Sequence, residues 1–188
     1  MAEAYSLFSN DCKLIKPIAV LKVVDRNGSV FEDKTEHRIY QVINENAVYK
    51  LTSILQEVIS RGTGGNAYIG RPAAGKTGTT DGEHDAWFVG YTPQLVTAVW
   101  IGDDTSSNAG YTGGTIPGAI WRDYMKAALS GYSVKNFYIP ESIRQQIEQQ
   151  RAAKAAAHAE AKKKAEEAKK AADAKAKDDK SAGSKLLD

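Results

Sequence analysis

Cysteine, histidine and long apolar runs are scarce in this 188-residue sequence. One cysteine, Cys12, is present, so an intramolecular disulfide and a cysteine-built zinc site are excluded, and we expect the thiol to be incidental. No apolar run approaches the roughly 18–20 residues that span a bilayer. Residues 1–10 lack the basic start and apolar centre of a secretory signal. We therefore expect no membrane segment, signal or anchor within this chain.

Excess charge of one sign is also scarce, because the formal net charge is only +2. Residues 152–180 hold nine lysines against six acidic residues, so the rest of the chain is close to neutral. A nucleic-acid-binding protein usually presents a basic or aromatic-interleaved face, and this sequence has none. Asp103 and Asp104 have no third ligand at a metal-binding spacing. We expect no nucleic acid, metal or cofactor.

The composition changes near Pro140. We expect a folded domain over residues 1–138 and an Ala/Lys/Glu-rich tail, helical or partly disordered, over residues 139–188. Strong helix formers follow Pro140 and continue to about Asp178. Beyond Ile147 the tail has alanines but no stripe of large apolar residues, so we expect its side chains to be solvated.

Turn and periodicity signals in the first part of the chain predict an α+β fold, with an antiparallel sheet and flanking helices. Asn27-Gly28 lies between two apolar runs and predicts a β-hairpin in which both turn residues have positive φ. The other predicted elements are helices over 44–60 and 116–129, a glycine-rich loop over 61–70, and strands over 86–91 and 95–102.

The segment from Gly70 to Gly82 contains the clearest binding motif in the sequence. Two incompatible interpretations apply to it. Gly70, Gly75, Lys76 and Thr77 satisfy the nucleotide-binding P-loop pattern G-x-x-x-x-G-K-[ST]. A P-loop places phosphates on the N-terminus of a helix that begins at its Lys and Thr. Glycine and threonine follow Thr77 here and form helices poorly, so nucleotide binding is the least favoured alternative.

The second interpretation takes Lys76-Thr77-Gly78 as the Lys-Thr-Gly element of serine acyltransferases of the penicillin-binding type. On a strand beside the active site, the ammonium and hydroxyl groups would hold a substrate carboxylate through charge-assisted hydrogen bonds. Gly78 would let the acyl substrate lie close to the strand. The backbone N–H of Thr79 could help to bind the oxyanion of the tetrahedral intermediate.

The sequence around this motif strengthens the second interpretation. Residues 52–64, 74–80, 85–93, 99–104 and 117–129 resemble consecutive segments of penicillin-binding-protein transpeptidase domains, in particular class A bifunctional peptidoglycan synthases, and the resemblance covers about residues 1–130. It implies a serine β-lactamase-like fold, D,D-transpeptidation of peptidoglycan stem peptides, acylation by β-lactams and an extracytoplasmic place in the cell envelope. It also implies substrate-binding roles for Lys76, Thr77, Gly78 and Thr79.

The family's nucleophile motif, Ser-x-x-Lys, does not occur in these 188 residues. A Ser-x-Asn triplet occurs at 106–108, but it follows Lys76 whereas the family places it before the lysine, so we treat it as coincidence. We expect the C-terminal half of a transpeptidase domain, without nucleophile, glycosyltransferase domain or anchor, and inactive alone. The missing half could be supplied by another chain. The other alternative is a non-catalytic envelope or interaction protein.

We expect the remaining ionisable and aromatic residues to have structural rather than catalytic roles. We expect His84, beside Asp85, to lie at the site rim rather than to act as a base. Asp81 and Glu83 are expected to shape the loop after the motif. His37 and His158 are expected to face solvent. The aromatic residues expected in the core are Trp87, Phe88, Tyr91, Trp100 and Trp121.

Overall fold

Helices and short antiparallel sheets make up the computed structural model, which describes residues 1–36, 39–103 and 110–184. The helices are α1 (Ala2–Ser9), α2 (Glu45–Ser60), α3 (Ile116–Ala128) and α4 (Glu141–Ser184). The strands are β1 (Lys13–Ile15), β2 (Lys22–Val24), β3 (Val30–Asp33), β4 (Ile39–Gln41), β5 (Ala74–Thr79), β6 (Asp85–Tyr91) and β7 (Val96–Gly102). The sheets pair β1 with β4, β2 with β3, and β5 with β6 and β7, all antiparallel.

The chain divides into two units, Met1–Pro140 and Glu141–Asp188. The first contains α1 to α3 and the three sheets, which confirms the predicted α+β class with antiparallel sheets. The second contains α4, whose side chains from residue 148 to 166 are exposed, as expected for a helix without an apolar stripe. Among the described residues, no helix is both long and apolar enough to cross a membrane.

The register of the β5–β6–β7 sheet determines which side chains share a face. Thr77 lies opposite Phe88, whereas Gly78 lies opposite Trp87, which in turn lies opposite Trp100. Because successive residues of a strand point to opposite faces, Thr77 and Thr79 share the face of Phe88. Lys76 and Gly78 share the face of the two tryptophans.

Helix α3 covers the Phe88 face. The buried Trp121 ring lies 5.3 Å from the Phe88 ring, centroid to centroid. Its indole Nε1 donates to the carbonyl oxygens of Gly90 and Thr97, both at 3.2 Å. Gly90 leaves room for this ring, since a Cβ there would lie 2.7 Å from the indole. Trp121 therefore fixes α3 on the sheet by both packing and hydrogen bonds.

Helices α1 and α2 cover the opposite face at the Tyr91 end of the sheet. Tyr91 is fully buried, and its ring contacts Tyr5 and Phe8 of α1. The Tyr91 hydroxyl lies 3.0 Å from Oγ1 of the buried Thr52 in α2. Asn44 begins α2 by accepting hydrogen bonds from the backbone N–H groups of residues 46 and 47. These contacts hold α2, and the loop that follows it, beside β5.

Three details differ from the sequence-based expectations. Helix α1 was not predicted. The β2–β3 hairpin exists, but Gly28 (φ 86°) takes the positive φ and Asn27 does not. The Asp25 carboxylate instead accepts the N–H groups of Asn27 and Ser29, both at 2.8 Å, and stabilises a longer turn. Trp100 is 48% exposed, so its assignment to the core is wrong, whereas Phe88, Tyr91 and Trp121 are confirmed there.

Candidate substrate-binding site

The Lys76–Thr79 segment forms the exposed half of an edge strand. Within the described residues β5 pairs with β6 alone, so its outer edge has no strand partner. Ala74 and Gly75 are buried, while Lys76 and Thr79 are exposed. This confirms the predicted strand. It also excludes the P-loop interpretation, because a phosphate-binding helix would have to begin at Lys76 and Thr77.

The hydroxyls of Thr77 and Thr79 project to the same face, and each has a neighbour from another part of the chain. Thr77 Oγ1 lies 2.9 Å from Oγ1 of Thr63, in the loop after α2. Thr79 Oγ1 accepts a hydrogen bond of 3.2 Å from the backbone N–H of Gly113. The structure therefore brings two loops against the two threonines of the motif.

Gly113 lies against the sheet, and Gly114 against the loop after α2, so closely that neither position has room for a side chain. A Cβ on Gly113 would overlap the carbonyl oxygen of Trp87, and one on Gly114 would overlap the carbonyl oxygen of Thr63. The Asn66 amide Nδ2 donates to the Gly114 carbonyl at 3.0 Å. This pair was not predicted; its one signal in the sequence is two adjacent glycines just before α3.

The Lys76 side chain lies on the other face of β5, and its Nζ donates to the Thr77 carbonyl oxygen at 2.7 Å. Across the part of the chain that the structure describes, no acidic group forms an ion pair with this exposed ammonium. The Lys76 ammonium and the hydroxyls of Thr77 and Thr79 therefore lie on opposite faces of a strand whose outer edge has no strand partner within the described residues.

The turn after the motif is built by its own polar residues. Asp81–Glu83 form a short 3-10 turn in which Gly82 has a φ of 73°. The Asp85 carboxylate accepts a hydrogen bond of 2.7 Å from the Trp100 indole, and the Asp85 backbone N–H donates to Thr80 Oγ1 at 2.9 Å. Asp85 is therefore engaged in joining β6 to β7, which does not support a catalytic pairing with His84.

The remaining candidates have no catalytic setting. Cys12 is buried, and burial, followed by the negative charges of Glu45 and Asp11, raises the pKa of its thiol, which lowers its reactivity. No cluster of three metal-ligating side chains occurs among the described residues. His158 is exposed, as expected. The predictions for His37, Asp104 and the triplet at 106–108 lie outside the described residues.

Comparison with known proteins identifies close sequence relatives. Residues 1–126 match the family described as the penicillin-binding protein transpeptidase domain. Penicillin-binding protein 1A of Neisseria gonorrhoeae is 40% identical over 152 residues, which cover 76% of this chain and 19% of that protein. Penicillin-binding protein 1A of Aquifex aeolicus is 36% identical over 143 residues, covering 74% of this chain and 20% of that protein. The chain thus spans about a fifth of the length of these relatives.

Solved structures agree with the sequence relatives. The penicillin-binding protein PonA1 of Mycobacterium tuberculosis superposes with a TM-score of 0.67 and 34% identity, over 76% of this chain and 40% of that one. Penicillin-binding protein 1A of Haemophilus influenzae gives a TM-score of 0.63 and 26% identity, over 74% of this chain and 27% of that one. With Lys76-Thr77-Gly78 on an edge strand of the matched region, this chain belongs to the family of penicillin-binding-protein transpeptidase domains.

Proposed function

We propose that this chain supplies the carboxylate-binding strand of a peptidoglycan D,D-transpeptidase. The observation that carries the proposal is the free edge of β5, a strand with the exposed Lys76 ammonium on one face and the Thr77 and Thr79 hydroxyls on the other. The substrate is a stem peptide ending in a free carboxylate, and a β-lactam presents an equivalent carboxylate. Family membership supports a place on the extracytoplasmic side of the cell envelope.

Each residue of the motif has a separate task in this proposal. Lys76 neutralises the carboxylate, and Thr77 and Thr79 donate hydrogen bonds worth about 1.5–3 kcal/mol each, because the acceptor is charged. Gly78 keeps the strand open to the acyl group. The Thr79 backbone N–H binds the oxygen that becomes negative when the carbonyl is attacked. Neither a metal nor a cofactor is required.

The nucleophile has to come from outside these 188 residues, since none of their serines or threonines precedes a lysine by three positions. This chemistry requires a segment that carries Ser-x-x-Lys, which another chain could supply. We expect the chain alone to bind carboxylate ligands without forming an acyl adduct. Incubation with a fluorescent penicillin, followed by denaturing electrophoresis, should leave it unlabelled; a denaturation-resistant label would contradict this.

Ligand binding tests the proposal directly. Titration of the ¹⁵N-labelled chain with an N-acetylated peptide ending in D-Ala-D-Ala should shift the amide signals of residues 76–79. Lys76→Ala should weaken binding about tenfold, which corresponds to the lower end of one charge-assisted bond. Lys50→Ala, at an exposed position of α2, is the matched control and should have no effect.

The proposal also predicts that binding requires a free C-terminal carboxylate on the peptide. The same peptide with a C-terminal amide should bind far more weakly, since the amide carries no charge. Equal binding of the acid and the amide, or equal binding by wild type and Lys76→Ala, would contradict the proposal. It would favour the non-catalytic interaction protein instead.

A further inference from the structure

We infer that Thr63 is a positioning residue: its hydroxyl donates to Thr77 Oγ1, so that the single Thr77 proton is directed at the substrate carboxylate. The Gly113 N–H does the same for Thr79. This inference rests on the proposed function and deepens it, because it identifies residues outside the Lys-Thr-Gly motif that orient the two hydroxyls. Thr63 itself lies behind Thr77 and acts through it.

The number of donors and acceptors on a threonine hydroxyl explains why a neighbouring donor determines where its proton points. A hydroxyl has one proton to donate and two lone pairs that accept. Thr79 accepts from the Gly113 N–H, and an amide N–H can only donate, so the Thr79 proton remains available. At the 2.9 Å contact between Thr63 and Thr77, either hydroxyl can donate. A bound carboxylate accepts only, and it therefore selects the arrangement in which Thr63 donates.

The backbone around Thr63 holds its side chain in place. Thr63 stands between Gly62 and Gly64, and the Gly64 N–H donates to the Val58 carbonyl of α2 at 2.8 Å. A Cβ on Gly62 would lie 2.8 Å from the Val58 Cα. Gly114 packs on the Thr63 carbonyl from the other side. One assembly of two glycine-rich loops thus contacts both threonine hydroxyls of β5.

The contact between Thr63 and Thr77 lies at the surface. An exposed hydrogen bond between hydroxyls adds little to stability, about 1 kcal/mol or less. Replacing Thr63 therefore leaves the fold intact and changes chiefly the rotamer of Thr77. A role in orientation can then be separated from a role in folding.

The test compares Thr63→Val and Thr63→Ser in the full 188-residue chain. Methyl three-bond couplings should show one χ1 rotamer for Thr77 in the wild type and in Thr63→Ser. Rotamer averaging is expected in Thr63→Val, which keeps the shape but loses the donor. The affinity for the acetylated D-Ala-D-Ala peptide should fall about tenfold in Thr63→Val and recover in Thr63→Ser. Thr35→Val, an exposed threonine whose hydroxyl bonds to Asp33, should change neither quantity.

The outcomes separate this inference from the proposed function. An unchanged Thr77 rotamer in Thr63→Val overturns the inference without any ligand being needed. Averaged rotamers with unchanged affinity also overturn it, while peptide binding by the wild type leaves the proposed function standing. Failure of the wild type to bind the peptide overturns the proposed function and, with it, the substrate role of Thr63.

Discussion

Among single residues, Tyr91 shows how burial changes the pKa of an ionisable group. Its phenol is fully buried between α1, α2 and the sheet, with the Thr52 hydroxyl 3.0 Å away. Burial raises the pKa of Tyr91 to about 12, because the phenolate would lose its hydration. The hydrogen bond with Thr52 lowers the pKa of Tyr91 and offsets only part of this effect. The fold therefore holds Tyr91 protonated.

Alkaline pH should consequently destabilise the fold through Tyr91. The folded pKa of about 12 exceeds the ordinary value of 10, so the stabilisation is complete below pH 10 and is lost as the pH rises toward 12. The loss should approach about 2–3 kcal/mol, at about 1.4 kcal/mol for each pH unit. Urea unfolding at a series of pH values measures it. Tyr91→Phe should remove this part of the pH dependence, whereas Tyr124→Phe, at a half-exposed position, should retain it.

At the scale of elements, the loop segment 110–115 packs closely on strand β5 and on the loop that precedes it. It contacts β5 at Thr79 and the α2–β5 loop at Thr63 and Asn66. Glycine is needed at 113 and 114 because the neighbours of both are backbone atoms, which cannot move aside by changing rotamer.

Gly114→Ala should therefore destabilise the chain by about 1–3 kcal/mol, since the added methyl overlaps the Thr63 carbonyl. Gly131→Ala is the matched control: no atom lies within 4 Å of its Cβ position, so stability should change by less than about 0.5 kcal/mol. Denaturant unfolding followed by tryptophan fluorescence gives both values. Equal stability of the two variants would show that the loop does not pack as described.

The elements that the sequence predicts well are those with strong local signals. Helix α2 has a capping asparagine and a helical apolar stripe, and the strands of the motif sheet have a turn at Pro93. Helix α1 was missed because its few apolar residues become informative only when Tyr5 and Phe8 meet Tyr91. The predicted type of the β2–β3 turn was wrong, because hydrogen bonds to the Asp25 side chain compete with the local Asn-Gly preference.

The residues of the candidate site also fall into two groups, those that the sequence predicts and those that only the structure reveals. Lys76, Thr77 and Thr79 lie within four consecutive residues, so the sequence alone predicts that they share one strand. Thr63 precedes Thr77 by 14 positions, and Gly113 follows Thr79 by 34. Such long-range contacts leave no periodic pattern in a single sequence. They follow from the packing of α2 and α3 on the sheet.

At the scale of the whole molecule, the two units differ in what stabilises them. Residues 1–140 bury a core around Phe88, Trp121 and Met125. Helix α4 buries little over residues 148–166, and the 2.6 Å ion pair between Glu160 and Lys164 is exposed. Such a pair contributes about 0.3–0.5 kcal/mol and weakens in salt. We therefore expect the proposed division of the chain into domain and tail to appear as two unfolding events.

Two optical probes can separate these events. All three tryptophans, Trp87, Trp100 and Trp121, lie in the first unit, so their fluorescence reports on it alone. Circular dichroism at 222 nm reports chiefly on α4, which has 44 residues, more than α1, α2 and α3 together.

On heating, the dichroism should decline early and broadly, because a solvated helix melts with low cooperativity. Fluorescence should change later, in one sharp transition. Adding 0.5 M salt, which shortens the screening length to about 4 Å, should advance the early phase and leave the late one in place. Superimposable curves from the two probes would show that the tail and the domain unfold as one unit.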